Sequence, residues 1–194
     1  MTLLILGLLI FLGVHSIVIF APNFRAKYRR KYLLTWKAVY GLIALVGFIL
    51  IIIGYGQARL SPTFVYFLPY WSRHIVFLLM IPVFILFFAP YFPGMISKIS
   101  RHPQLLAVKI WAGAHLLVNG TVADLCLFGS LLIWAILDTF ALNRLPVNNP
   151  PNRPMQLKAE DLNDVILLTL GISLYVGFLM ILHAKLIGIP LIAI

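Results

Sequence analysis

Residues 2–37 read TLLILGLLIFLGVHSIVIFAPNFRAKYRRKYLLTWK, an apolar run followed by a strongly basic segment. An α-helix needs about 20 predominantly apolar residues to cross a bilayer, and residues 2–21 supply that length. From Arg25 to Lys37 the chain carries six positive side chains and no negative one. Because loops rich in Lys and Arg stay on the cytoplasmic side, the pattern predicts a membrane helix whose N-terminus lies on the opposite side of the membrane.

The composition of the whole chain extends this interpretation. Its 194 residues are 62% hydrophobic and only 10% charged, whereas a soluble domain has roughly 45–50% apolar and about 25% charged residues. The composition therefore excludes a soluble globular domain. We predict an all-α fold, a polytopic transmembrane bundle of about six helices that forms a single integral membrane domain over residues 1–194, with spans at about residues 2–21, 38–56, 71–91, 103–119, 122–142 and 165–187.

The formal net charge of +10 bears on the partners of the chain. In a membrane protein, basic loops are the usual signal for orientation, so we expect the lipid bilayer as a partner and no nucleic acid. Between residues 143 and 164 the chain is polar and rich in proline, a composition common in docking segments. A purely structural assembly partner therefore stays open as an alternative function.

Two histidines in the predicted spans are candidate metal ligands. A charged side chain at the bilayer centre costs roughly 2.5–3.5 kcal/mol, but histidine can enter the membrane uncharged. His15 lies roughly 9 Å and His115 roughly 18 Å from the cytoplasmic ends of their helices at about 1.5 Å per residue, so their side chains can approach a common plane. Two neutral imidazoles that face one another across a bundle can serve as axial ligands of haem iron. The alternative is that each histidine hydrogen-bonds a neighbouring helix.

Three further residues are candidates for holding a flat, acidic cofactor. Arg101 and His102 precede a helix at the cytoplasmic interface, where an arginine and helix amide groups can bind a phosphate or a propionate. Trp111 lies four residues before His115 and shares its helix face. The alternatives are a topological anchor for Arg101, a helix cap for His102 and core packing for Trp111. The remaining histidines lie near the outer ends of their spans and are interpreted as structural: His74 and His183.

One segment carries a resemblance to a known family. Residues 101–134 read RHPQLLAVKIWAGAHLLVNGTVADLCLFGSLLIW, and this run resembles the NnrU family of bacterial inner-membrane proteins, in which RHP, a W-x-x-x-H helix, an NG turn and an LFG segment recur in this order. The first helix, with its histidine and the basic loop that follows, is also similar. The resemblance implies a multi-pass protein of the bacterial inner membrane that is connected with nitrite and nitric oxide metabolism in denitrification.

The same resemblance implies a cofactor. A relative of the family, the 15-cis-zeta-carotene isomerase, is a membrane enzyme that holds haem b through histidines. Carried over to this chain, the resemblance implies haem b with His115 and His15 as its iron ligands. A cysteine that precedes the second histidine in the isomerase has no counterpart, because Gly113 and Ala114 stand before His115.

Three functional hypotheses follow, and none of them identifies a catalytic residue. The first is a haem-binding membrane protein that supports nitrogen-oxide respiration, with a respiratory redox partner. The second is a haem-dependent cis–trans isomerase that acts on a lipophilic small molecule, a carotenoid. The third is a membrane methyltransferase that uses S-adenosylmethionine, because such enzymes also carry an RHP element before a late helix; they follow it with a glutamate-bearing segment, whereas the one glutamate of this chain is Glu160.

Overall fold

The computed structural model describes residues 1–145 and 157–192, with the side chains of all of them except residues 157–160. Half of the proline-rich segment at 143–164, residues 146–156, therefore lies outside the described residues. The described part is helical, with no β-strand in it, so the prediction of an all-α fold is confirmed. The helices are α1 Thr2–His15, α2 Ile17–Phe20, α3 Pro22–Lys31, α4 Leu33–Ala58, α5 Ser72–Phe88, α6 Pro103–Leu116, α7 Val122–Asp124, α8 Ser130–Arg144, α9 Leu157–Gly177 and α10 His183–Ile187.

Four stretches among the described residues are long and apolar enough to cross a membrane. Three of them join several elements through π-helical or 3-10 turns. The stretches are Leu33–Ala58, Ser72–Tyr91, Val122–Arg144 and Asp161–Ile187. These helices identify a membrane protein with the lipid bilayer as its environment.

The count of six long helices is not confirmed, because two predicted spans are short or broken. The predicted span at 2–21 consists of α1, with 14 residues, and α2, with 4 residues. The predicted span at 103–119 corresponds to α6, which also has 14 residues. At about 1.5 Å per residue, 14 residues reach about 21 Å, less than the hydrocarbon core of about 30 Å.

The break between α1 and α2 has a local cause. At Ser16 the backbone leaves the helical region (φ −81°, ψ 1°), and its amide still donates to the carbonyl of Leu12. A second break follows at Ala21 (φ −140°, ψ 56°). Residues that precede a proline are disfavoured in the α region, and Pro22 then suits the first turn of α3. The basic segment is therefore a separate helix rather than a continuation of the first one.

The described residues form two compact units, and the first contains residues 1–72 and 115–145. In this unit α1 packs along α4. The close approach depends on glycines, because a Cβ atom would collide with backbone of the partner helix at three levels: Gly7 against Ile51, Gly47 against Phe11 and Gly54 against Leu4. Helices of membrane proteins commonly approach one another through such small residues. The stretch from α7 to α8 packs against α1 and α2.

The second unit contains residues 73–114 and 157–192. Its apolar core includes Val83, Leu86 and Ala107. The Tyr175 hydroxyl of α9 donates to the carbonyl of Phe77 in α5 at 3.0 Å. In the same helix α9, the Asp164 carboxylate accepts hydrogen bonds from two backbone amides of the connection between α5 and α6, those of Met95 at 2.7 Å and Ile96 at 3.1 Å.

Candidate functional site

The first unit holds a group of polar and aromatic side chains around the end of α1. His15 is the last residue of α1. Its ring centroid lies 5.2 Å from that of Tyr40 in α4 and 5.6 Å from that of Trp134 in α8, both in edge-on geometry. Asp138 lies four residues after Trp134 and therefore on the same face of α8. We call these residues, together with Arg25 of α3, the His15 cluster.

One hydrogen bond determines the tautomer of His15. Its Nδ1 atom lies 2.7 Å from the carbonyl oxygen of Phe11. A carbonyl oxygen can only accept, so Nδ1 carries the proton and donates it. In the neutral ring, Nε2 then keeps its lone pair. Histidines that bind metals are commonly oriented in this way, by a hydrogen bond from the second ring nitrogen to a backbone carbonyl.

Two buried polar atoms of α8 lie on the face that meets His15. The indole Nε1 of Trp134 and the Oδ1 of Asp138 are buried and have no hydrogen-bond partner among the described residues. Asp138 is only 6% exposed. A buried polar atom without a partner costs about 1–3 kcal/mol, and native proteins rarely retain one without a functional reason. These atoms fit a site that receives a polar or charged group from elsewhere.

The charges of the His15 cluster come from two residues. Arg25 of α3 lies close enough to Asp138 and Tyr40 for its charge to act on both. A planar guanidinium binds carboxylates and phosphates well. The cluster thus combines a neutral imidazole, aromatic rings, an acid and a cation within the first unit.

His115 belongs to a second group of side chains in the same unit. Its ring stacks on Phe128 with centroids 4.7 Å apart, and Phe128 lies 6.1 Å from the ring of Tyr55 in α4. The Tyr55 hydroxyl donates to Asp124 Oδ1 at 2.5 Å. Asp124 Oδ2 accepts from the amide and the hydroxyl of Thr121, at 2.9 and 2.7 Å, in a capping box that begins α7. We call these residues the His115 cluster.

The connection between α4 and α5 also contacts the residues next to His115. Tyr66 donates its hydroxyl proton to the carbonyls of Leu116 and Asn119, at 2.5 and 3.0 Å. Burial, followed by the negative charge of Asp124, raises the pKa of the Tyr66 phenol above its usual value. The Asn119 side chain donates to the carbonyl of His115 at 2.9 Å. These contacts hold the end of α6 in place.

His15 and His115 have different neighbours on α4. His15 lies beside Tyr40, whereas His115 reaches Tyr55 through Phe128. Tyr40 and Tyr55 are separated by 15 residues on α4, which is about 22 Å along the helix axis. Two imidazoles that bind one iron must face it from opposite sides at one level. On the other side, the partner rings Trp134 and Phe128 are only six residues apart, about 9 Å along a helix, so these ring contacts do not fix the separation of the two imidazoles. The hydrogen bond of Nδ1 supports His15 as an iron ligand, and an iron shared between His15 and His115 stays a prediction.

The other predicted site residues lie in the second unit. Arg101 is exposed and His102 partly buried, directly before α6, and the carbonyl of His102 accepts from the amide of Leu106 at 3.1 Å. Trp111 packs against the apolar core of that unit. The two histidines interpreted as structural make local contacts: His74 with the ring of Phe77, and His183 with the carbonyl of Ile189.

Within residues 1–145 and 157–192, no three His, Cys, Asp or Glu side chains gather as a metal site would require. A haem needs only one or two protein ligands on its iron, so it does not depend on such a cluster.

Sequence reasoning missed most neighbours of His15. The sequence could have identified Asp138 as a candidate, because Asp124 and Asp138 are the acidic residues within the predicted spans. The different roles of Asp124 and Asp138 could not be predicted from the sequence, because they depend on which side chains of the neighbouring helices lie beside each acid. Trp134 also had a signal in its spacing of four residues from Asp138.

Comparison with known proteins gives one result for nearly the whole chain. A model of the family described as NnrU protein matches residues 3–191. The match spans both compact units. No curated protein and no solved structure matches the chain. The chain therefore belongs to the NnrU family.

Proposed function

We propose that this protein binds haem b in the bacterial inner membrane, with His15 as the iron ligand, and supports nitrite and nitric oxide metabolism. The observation that carries the proposal is the hydrogen bond from His15 Nδ1 to the carbonyl of Phe11. It leaves Nε2 as the nitrogen that can bind iron. The link to nitrogen oxides rests on membership of the NnrU family.

The neighbours of His15 suit a flat, amphipathic cofactor. The rings of Tyr40 and Trp134 supply apolar contact area beside the imidazole. Arg25 supplies a cation that pairs well with a carboxylate such as a propionate. A bound haem iron supplies one-electron redox chemistry and an exchangeable ligand position. Trp134 Nε1 is a donor that can hydrogen-bond a polar group brought into the site.

The test is an absorption spectrum of the full chain, purified in detergent from cells with ample haem. We expect a Soret band that shifts on reduction with dithionite, and its loss in His15→Ala. His183→Ala is the matched control, because His183 also bonds a backbone carbonyl through Nδ1 but lies outside the cluster. Circular dichroism shows whether each variant folds. A colourless wild-type protein, or a folded His15→Ala variant with full haem content, contradicts the proposal.

An isomerase is the second candidate, and the aromatic lining of the His15 cluster favours it. The rings of Phe11, Tyr40 and Trp134 surround the imidazole within one unit, which suits a lipophilic small molecule beside the haem. The test is incubation of reduced, haem-loaded protein with a cis carotenoid and chromatography of the isomers. Unchanged isomer ratios with protein of full haem content count against this activity and leave the respiratory role with its redox partner.

The proposed topology places α3 at the cytoplasmic surface and the N-terminus in the periplasm. We infer six membrane segments, with α1 and α2 together as the first and the short α6 as the fourth. Five basic residues and no acidic one on α3 support the orientation. Single cysteines at Lys31 and Leu60, in a Cys126→Ser background, test it with a membrane-impermeant maleimide: only the Leu60 position should react in intact cells.

A further inference from the structure

Helix α3 has a composition that membrane anchoring alone does not require. None of its ten residues is buried. It contains five basic residues and no acidic one within PNFRAKYRRK. Positive-inside orientation needs basic charge near a helix end, and any arrangement of that charge satisfies it. On α3, three of the five basic residues line one cleft and two aromatic residues pack together on a neighbouring face.

The first face is basic and concave. Lys27, Arg30 and Lys31 are spaced by three and four residues, so they project from the same side of the helix. With Ala26 they line an open cleft of about 510 Å³. The three cations therefore line one open space, and the Lys31 ammonium also lies 5.1 Å from the ring centroid of Tyr32. Like charges on one side of a helix repel one another. A negatively charged occupant removes that repulsion.

The second face is aromatic. Phe24 and Tyr28 pack with ring centroids 4.4 Å apart, and Phe24 also contacts Trp36 at the start of α4 at 6.1 Å. Phe24 is 50% and Tyr28 41% exposed. Aromatic residues collect at the level of lipid headgroups. A helix with one aromatic and one basic face lies in the plane of that interface.

Apolar side chains next to α3 continue this surface. Phe20, just before α3, is 83% exposed, and Leu34, just after it, is 80% exposed. Exposed hydrocarbon therefore precedes and follows the basic helix in the chain. A soluble anion does not use such a surface, whereas the acyl chains of a lipid do.

We propose that Lys27, Arg30 and Lys31 bind the phosphate of an anionic phospholipid in the cytoplasmic leaflet, while the neighbouring apolar side chains contact its acyl chains. The charge complementarity and the adjoining apolar surface both point to a lipid. The site is independent of haem binding, because it shares no residue with the His15 cluster.

The experiment is a lipid titration of the full chain in mild detergent, read by native mass spectrometry. Phosphatidylglycerol is the anionic probe, and phosphatidylcholine is the neutral probe with the same acyl chains. We expect tighter binding of phosphatidylglycerol, and about fivefold weaker binding for Lys27→Gln or Arg30→Gln, the effect of one basic residue near an anionic surface. Equal affinities of the wild-type protein for the two lipids would overturn the proposal.

Arg29→Gln provides a matched control, because it removes the same charge from the same helix outside the cleft. Its affinity for phosphatidylglycerol should stay within about twofold of the wild-type value. Equal losses of affinity for phosphatidylglycerol in Arg29→Gln and Arg30→Gln would indicate a general electrostatic effect and would overturn the proposed site.

A calorimetric titration with sodium pyrophosphate distinguishes the source of the phosphate. If pyrophosphate binds more tightly than the lipid, the cleft binds a soluble anion and the lipid assignment is overturned.

Discussion

The His15 and His115 clusters use similar residues in different ways. Each contains a histidine at a helix end, a tyrosine of α4 and an acid of the stretch from α7 to α8. In the His115 cluster the acid is engaged by the fold, since Asp124 accepts from Tyr55 and Thr121. In the His15 cluster the Oδ1 of Asp138 is buried without a partner among the described residues. The difference supports the proposal that the His15 cluster receives a ligand, whereas the contacts of Asp124 join neighbouring elements of the first unit.

The largest expected difference in stability lies between the two acids. Asp124→Ala removes the capping box and the bond from Tyr55, so we expect a loss of about 3–4 kcal/mol in the free energy of unfolding. Asp138→Asn keeps the side-chain size and removes a buried charge, so its change should stay below about 1 kcal/mol. Denaturant unfolding in detergent measures both. A similar loss in both variants would remove the distinction between the clusters.

The packing of α1 on α4 should matter to the His15 cluster in particular. In Gly47→Ala the new Cβ would lie 2.7 Å from the backbone nitrogen of Phe11, the residue whose carbonyl orients His15. We expect a loss of about 1–3 kcal/mol in stability, together with reduced haem content.

Gly41→Ala is the control on the same helix, because its Cβ would meet no atom within 4 Å. Replacing glycine by alanine within a helix gains up to about 1 kcal/mol, so this variant should be as stable as the wild type or more so. Equal stability of the two variants would show that the approach of α1 at Phe11 is looser than described.

A smaller effect is expected from Tyr66 in the His115 cluster. Tyr66→Phe removes two hydrogen bonds to carbonyls at the end of α6 and should cost about 1 kcal/mol. Because burial raises the pKa of the folded tyrosine above the usual value of about 10, its contribution is complete below pH 10 and is lost as the pH rises through the raised pKa. The stability gap between wild type and Tyr66→Phe should therefore narrow above about pH 10; a gap that widens there contradicts this role.

The sequence predicted the class of the fold more reliably than the details of the site. Long apolar runs such as Leu33–Ala58 identify membrane helices, because length and composition decide whether a segment can cross a bilayer. The sequence did not predict the break in the first span at Ser16, because this break depends on local backbone geometry. The end of α6 is held by a local bond from Asn119 to the carbonyl of His115 and by the Tyr66 hydroxyl, which bonds the carbonyl of Leu116 from a part of the chain distant in sequence.

The levels of the two histidines were the hardest feature to predict. Distances measured from uncertain helix ends allowed His15 and His115 to share a plane. The glycine contacts between α1 and α4 fix which residues of α4 lie beside His15, and the common plane with His115 stays a prediction. The pairing of Trp134 with His15 likewise depends on the packing of α8 against α1, which one sequence does not specify.

The most direct test of the account compares haem content in His15→Ala and His115→Ala, expressed and purified in parallel and measured per mole of folded protein. We predict that His15→Ala loses the Soret band and that His115→Ala retains it, with lower stability from the loss of its contact with Phe128. Loss of haem from both folded variants to the same extent would contradict the assignment, and would mean that one iron draws on both histidines.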